Sequence, residues 1–387
     1  MKKDTTTNST TSIFIRFATA SAAALAMAAS LVGCATNETQ DTQPPSTTIS
    51  SASGQTSAAA LSGTLNAGGA SSQTAAQEAW RADFQNANPQ VTVNYDPTGS
   101  GTGVTNFING GYALAGTDTA IASDAAKGPF AACAPTSGLV EVPAYISPIA
   151  IGFNLPDIAS LKLDPASLAG IFTGAITTWD DPAITAQNPG VTLPSTKITA
   201  VHRGDKSGTT ANFTDYLAQT GPAAWTFGSV EMWPQSLQGE SADKTQGVRE
   251  VLASTVGAIG YLDASQATAM GIASIKVGSS YVAPSAAGAA ATVGASQQES
   301  GRGSSDIVIK LDRTSTDPST YPLVLISYLV ACEQYSDTAQ GQLVKAYLDY
   351  VVSAQGQQAA ASNAGSAPTT GDTTLDAKIR AAIASVH

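Results

Sequence analysis

Apolar positions along this 387-residue chain switch between two spacings. Residues 91–95 read Val-Thr-Val-Asn-Tyr, apolar at every second position, which predicts a half-buried strand. Residues 139–142 and 146–153 predict two further strands, the second nearly continuous and apolar. Shorter strands are predicted at 197–202 and 258–262. Residues 321–330 form a strongly apolar run. It leads into 340–353, where Leu343, Val344, Tyr347 and Val351 recur near helical spacing. Residues 168–172 predict a helical turn that Gly174 ends. The Ala- and Gly-rich stretch 283–294 has no period and is expected to be loop-rich. Residues 363–372 form a Gly/Pro/Thr break before a short terminal helix. The chain shows no internal repeat of fixed period. Strands alternating with helices predict an α/β architecture.

The first sixty residues obey different rules. Lys2, Lys3 and Arg16 precede or interrupt an apolar stretch over 13–31, which ends in Leu31-Val32-Gly33-Cys34. A basic start, an apolar centre and small residues before a cut predict a secretory signal over 1–33. A Cys directly after Leu-Val-Gly resembles the bacterial lipobox. That resemblance implies cleavage before Cys34 and acylation of its sulfur and new amine, a tether made stable by two or more chains. Residues 35–60 are Ser, Thr, Gln, Ala and Pro with almost no large apolar side chain. They predict a flexible stalk with a span of roughly 28 Å. About 325 residues remain, enough for two domains. The formal charge is −11; the leader carries a net +2, which leaves −13 on the exported chain. Such a surface argues against nucleic acid and anionic lipid as partners. With Cys34 acylated, Cys133 and Cys332 remain. In an oxidising compartment they are expected to form one disulfide, the alternative being two buried thiols. They are too few and too isolated for a metal site.

The candidate chemistry lies where predicted strands end. Arg203-Gly204-Asp205-Lys206-Ser207-Gly208-Thr209-Thr210 follows one strand and precedes a helical pattern through Phe213, Tyr216 and Leu217. Backbone N–H groups, hydroxyls and a positive helix end meet there, a combination that binds oxyanions. Arg203 adds a planar fork of donors, and Asp205 is near enough in the chain to hold it. The spacing is not that of a P-loop, since Lys206 precedes Ser207 in the wrong frame. Taken alone, Ser-Gly-Thr before a helix reads as an ordinary N-cap. Three other stretches are similar in kind: 65–72 with Gly68-Gly69-Ala70-Ser71-Ser72, 95–103 with Gly99-Ser100-Gly101, and 115–120 with Gly116-Thr117-Asp118. In open α/β sheets such loops gather beyond the carboxyl ends of strands.

In combination these stretches resemble the phosphate-binding proteins of bacterial phosphate ABC transporters. The resemblance covers about 61–353. It includes Ile171-Phe172-x-Gly174-x-Ile176-Thr177-x-Trp179-x-Asp181-Pro182, which is read as a packing signature, and Gly257-Ala258-Ile259-Gly260-Tyr261. It implies a two-lobed, hinged periplasmic-binding fold of type II, each lobe a mixed sheet flanked by helices. Lobe one would hold 61–147 and 320–387, lobe two 148–319, with crossovers near Pro148 and near Asp317-Pro318. It implies a phosphate site in which Ser71, Ser72, Ser100, Ser207, Gly208 and Thr209 donate, Asp118 accepts from the ligand, and Arg203 donates under the orientation of Asp205. This chain carries Ser71-Ser72 where many relatives have Thr-Phe, so an aromatic wall is lost. Lys206 stands where relatives often have Gly and is expected to face solvent. The implied partners are inorganic phosphate and the membrane subunits of a permease. The resemblance further implies a monomer, no cofactor and no metal, with the membrane touched through the lipid anchor alone. Other tetrahedral oxyanions (arsenate, sulfate, molybdate) are the alternative ligands. An exported phosphatase is less favoured, since His202 and His387 are the only histidines and no nucleophile elbow has a His partner. A surface adhesion role, suggested by the Arg-Gly-Asp triplet, would require no small-molecule ligand.

Overall fold

The structure, a computed structural model, describes residues 60–369 and 372–387. The leader, Cys34 and the stalk fall outside the described residues. The chain opens with β1 (Gly63–Gly69), α1 (Thr74–Ala87), β2 (Val91–Asp96), α2 (Ser100–Ile108) and β3 (Leu114–Thr117). β1 pairs in parallel with both β2 and β3, and β2 alternates buried and exposed along its length, as its sequence predicts. Then come β4 (Leu139–Phe153), β5 (Ser160–Leu163), α3 (Pro165–Thr173), α4 (Pro182–Thr185), β6 (Thr199–Arg203), α5 (Gly208–Thr220), β7 (Glu240–Ala242), α6 (Lys244–Ser254) and β8 (Ala258–Asp263). The rest comprises β9 (Gly271–Val277), β10 (Ser280–Val282), α7 (Ala286–Ala295), β11 (Gln297–Gln298), β12 (Ile309–Lys310), β13 (Val324–Cys332), α8 (Thr338–Val351), α9 (Ala354–Ala364) and α10 (Thr373–Ala384).

One mixed sheet takes most of these strands in the order β2-β1-β3-β13-β4-β8-β6-β7, with β9 branching from β4 to carry β5 and β10, while β11 and β12 pair with each other apart from it. β4 is the common spine. Nine of its first ten residues pair with β13, and from Ile149 onward it pairs with β8. All fifteen of its residues are buried, as expected for a strand covered on both faces. The sequence predicts two strands here, separated at Pro143. Instead the strand is continuous. Ser327 pairs with Tyr145 and Tyr328 with Pro143, so Ala144 is the extra residue of a bulge that absorbs the irregularity.

The stretch 283–294, expected to be loop-rich, contains α7. Ser285 caps it, its hydroxyl accepting from the Gly288 N–H at 3.1 Å. Alanine is the strongest helix former, but a segment made almost wholly of Ala and Gly has no polar face and so displays no period. α7 packs with Ile146, Val324, Ile326 and Tyr328. The following residues also lie on β4: Glu141 N–H donates to Ser305 O at 2.9 Å and Ile307 N–H to Glu141 O at 2.7 Å. The Glu141 carboxylate accepts from Ile121 N–H and from Arg302, both at 3.0 Å. Arg302 also faces Asp306 at 2.9 Å.

The Ile-Phe…Trp…Asp-Pro run packs, as read from sequence. Ile171, Phe172 and Trp179 are buried, Trp179 donates its indole N–H to Gly257 O at 3.0 Å, and Asp181 caps α4. Gly174 ends α3 at φ 79°, a left-handed position that suits glycine. Cys133 and Cys332 form a disulfide with Cα atoms 5.4 Å apart, tying the end of β13 to the segment before β4. No described helix is long and apolar enough to cross a membrane.

Candidate functional site

Five strand ends bring their following residues to one place. β1 leads into a single 3₁₀ turn, Ser71–Gln73; β2 leads into α2; β3 delivers Asp118; β6 leads through Arg203–Ser207 into α5; β7 leads into α6. Asp118 is the centre. Its Oδ1 accepts from the Ser72 hydroxyl and from the Ser327 hydroxyl, each at 2.6 Å. Its Oδ2 accepts from the Thr209 hydroxyl at 3.0 Å. Its backbone N–H donates to Ser100 Oγ at 3.1 Å, and its carbonyl accepts from the Asn212 amide at 2.7 Å. Burial pushes the Asp118 carboxyl up from its ordinary pKa, while the hydroxyls of Ser327, Ser72 and Thr209 and the charge of Arg203 pull it back.

The Arg203 loop is fixed as its sequence suggests. Arg203 Nε donates to Asp205 Oδ1 at 2.7 Å, and a second nitrogen of the fork reaches Oδ2. Lys244 N–H also donates to Asp205, at 3.0 Å. Burial alone would raise the Asp205 carboxyl, but the hydrogen bond and charge of Arg203 outweigh it and hold the pKa below the usual range. Arg203 is itself buried, and its backbone N–H donates to Tyr261 Oη at 3.1 Å. Ser207 caps α5 by accepting from Thr210 N–H at 3.2 Å, which leaves its own proton free to donate. Gly208 opens α5 against Asp118: a Cβ there would lie 2.8 Å from Asp118 Cβ, so the close approach depends on glycine. Gly99 has the same role beside the ion pair, since a Cβ there would sit 2.4 Å from Asp205 Oδ2.

Ser71, Ser72, Ser100, Asp118, Arg203, Ser207, Gly208 and Thr209 are thus gathered together, and all are buried. Lys206 is not part of the cluster through its side chain, which is half-exposed and pairs with Glu231 at 3.0 Å. Two further members of this cluster carry no clear mark in the sequence. Thr245, on the first turn of α6, meets Ser71: the hydroxyls are 3.0 Å apart and Thr245 N–H donates to Ser71 Oγ at 3.1 Å. The signal was Asp243-Lys244-Thr245, a further polar corner between strand and helix. Ser327 lies inside the apolar run of β13, where a lone hydroxyl among Leu325, Ile326 and Tyr328 was its only mark.

Among the described residues no cluster of His, Cys, Asp and Glu could hold a metal ion. The arrangement offers converging hydroxyl, amide and guanidinium donors around one carboxylate, which suits an oxyanion that keeps a proton.

The family profile described as a PBP superfamily domain matches residues 53–355. Phosphate-binding protein PstS 3 of Mycobacterium tuberculosis is 34% identical over 296 residues, covering 75% of this chain and 79% of that protein. Phosphate-binding protein PstS of Xylella fastidiosa is 29% identical over 350 residues, covering 87% and 89%. A solved structure of a high-affinity periplasmic phosphate-binding protein (PfluDING), bound with phosphate, superposes with a TM-score of 0.67 at 23% identity, covering 82% of this chain and 93% of that one, a likeness of fold. With its curled mixed sheet, its strand-end cluster and this extent of kinship, the chain belongs to the PBP superfamily and, within it, to the PstS-type phosphate-binding proteins.

Proposed function

We propose that this protein captures inorganic phosphate outside the cytoplasm and passes it to the membrane subunits of an ABC-type permease, without catalysing a reaction. The observation that carries the reading is Asp118, a buried carboxylate amid donors from both sides of the cleft. A bare carboxylate repels an anion unless the anion brings a proton. Inorganic phosphate does so near neutral pH: it has one hydroxyl more than a phosphoryl ester, whose own last pKa is roughly 6, so one proton stays on when the ester would have none. Sulfate offers none, and an unpaired buried acceptor costs about 1–3 kcal/mol, more when charged. Sites of this type reject the wrong analogue by roughly 10⁴–10⁵.

In this reading Ser71, Ser72, Ser100, Ser207, Gly208 and Thr209 donate to phosphate oxygens through hydroxyls or backbone N–H groups. Arg203 donates from the fork that Asp205 fixes. Two lobes close on the ligand about β4, which pairs with β13 in one half of the sheet and with β8 in the other. Lobe one holds 61–147 and 320–387 and lobe two 148–319, with 286–312 packed against β4 and β13. The protein acts as a monomer held at the outer face of the membrane by lipid on Cys34. Calorimetric titration of the folded body with phosphate, arsenate and sulfate tests the reading. Tight phosphate binding with sulfate at least a thousandfold weaker is expected on the asymmetry above; comparable affinity for sulfate would overturn it.

A further inference from the structure

Asp118 is the end of a buried chain of hydrogen bonds that runs in one direction. Tyr347 Oη, on α8, donates to Gln77 Oε1 at 2.8 Å. Gln77 Nε2 donates to Gln73 Oε1 at 2.8 Å. Gln73 Nε2 donates to Ser327 Oγ at 2.6 Å, and Ser327 donates to Asp118 Oδ1 at 2.6 Å. Each of these side chains is essentially without solvent contact. Gln77 and Gln73 sit four residues apart, one on α1 and one on the turn before it, so they stack on one helix face. Gln73 also donates to Tyr328 O at 3.2 Å, which uses both of its amide hydrogens and fixes its orientation.

The direction matters because a hydroxyl has a single proton. Ser327 already accepts from an amide N–H, so its proton is committed to Asp118. Ser72 brings a second hydroxyl to the same oxygen. Oδ1 therefore meets two O–H donors and has no room to carry a proton of its own. Oδ2 accepts from one side chain, the hydroxyl of Thr209. We infer that Ser327, held by Gln73, Gln77 and Tyr347, is a specificity-determining positioning residue that keeps Asp118 an acceptor and turns Oδ2 toward the ligand's proton. The inference rests on the phosphate reading above and adds to it residues outside the anion's reach.

The consequence is selective. Were Oδ1 to lose a donor, burial would favour the protonated acid, and a protonated Asp118 could donate to an anion that has no proton. Sulfate is the clean probe, because it does not titrate near neutral pH. The other ionisable groups facing Asp118 are Arg203, Asp263 and Tyr95, and all three remain in the variants below.

The test compares Ser327→Ala, Ser327→Thr and Ser72→Ala with the unaltered protein, titrated with sulfate and separately with phosphate between pH 5 and 9. In Ser327→Ala, sulfate should bind about tenfold more tightly at each pH above neutrality, the equivalent of raising the Asp118 midpoint by about one pH unit. Its affinity should weaken tenfold per unit rise in pH. Ser327→Thr should restore exclusion, and Ser72→Ala, which removes the other donor to Oδ1, should mimic Ser327→Ala. Adding Asp118→Asn should erase both the slope and the Ser327 effect, which a merely structural role would not do. The inference is overturned if Ser327→Ala and Ser72→Ala bind phosphate yet exclude sulfate as strictly as the unaltered protein. It is overturned equally if the Ser327 effect survives in Asp118→Asn. Failure of the unaltered protein to bind phosphate would instead remove the underlying reading.

Discussion

Among the described residues of the first half of the chain two carboxylates are buried, and their surroundings differ in kind. Glu141 faces a guanidinium, that of Arg302, and a backbone N–H, with Asp306 completing the cluster. Asp118 faces hydroxyls, with the nearest guanidinium tied to Asp205 instead. Burial raises the pKa of both. A charge met by a fixed opposite charge is closed to outsiders: the Glu141 cluster joins residues 299–307 to β4 and has nothing to offer a ligand. A charge supported only by neutral donors keeps its sign unanswered, and a proton-bearing anion can complete it. The contrast lies in what answers the charge: a guanidinium inside the fold for Glu141, neutral donors alone for Asp118.

The contrast can be broken from either side. Arg302→Met should give the largest effect, on stability alone. Removing one partner of a buried pair costs about 3–5 kcal/mol, read as a lowered melting temperature. Phosphate affinity at a temperature where the variant is folded should be unchanged.

Asp263 sharpens the comparison as a second carboxylate met by neutral donors alone. Tyr145 Oη donates to it at 3.1 Å and Ser265 N–H at 3.0 Å, yet burial raises its pKa to about 7. An acid whose folded pKa is raised stabilises the fold fully below its unfolded value, near 3.9, and loses that contribution as pH rises through about 7. Unfolding by urea should therefore show a decline of roughly 2–4 kcal/mol from this group between pH 4 and 7.5. Asp263→Asn should remove it. An equally steep decline in the variant would assign the pH dependence to Asp118 or Glu141.

Arg203→Ala acts on the recognising side. Loss of a charged hydrogen bond costs about 1.5–3 kcal/mol, so phosphate should bind one to two decades more weakly by calorimetry. Lys206→Ala should do least. Its side chain is half-exposed and its bridge to Glu231 lies at the surface, where such pairs contribute about 0–1 kcal/mol. Phosphate affinity should stay within about twofold at physiological salt.

Legibility in the sequence followed the range of the interactions. β2, β6, β8 and α8 were readable because their patterns are local. So were Ser100, Arg203, Asp205 and Ser207 to Thr209, since strand-to-helix corners leave a signature of small and hydroxyl residues. α7 was hidden because alanine favours a helix without marking a face. The unity of β4 was hidden because a proline reads locally as a break, and only its pairing with β13 shows that the bulge at Ala144 accommodates it. Ser327 lies 209 residues from Asp118, and no local pattern links them. Its neighbours in sequence are apolar, and its role comes from tertiary pairing.

The missing side chain at position 208 has one more implication. The tip of α5 and the Asp118 turn approach so closely that a single methyl group would fill the gap between them. On the proposed reading, that hydrogen atom works as a gauge, setting the narrowest span the cleft can reach and hence the size of what it can grip. Gly208→Ala would wedge a shim into the jaws, leaving a protein that folds and meets its anion but stays ajar around it.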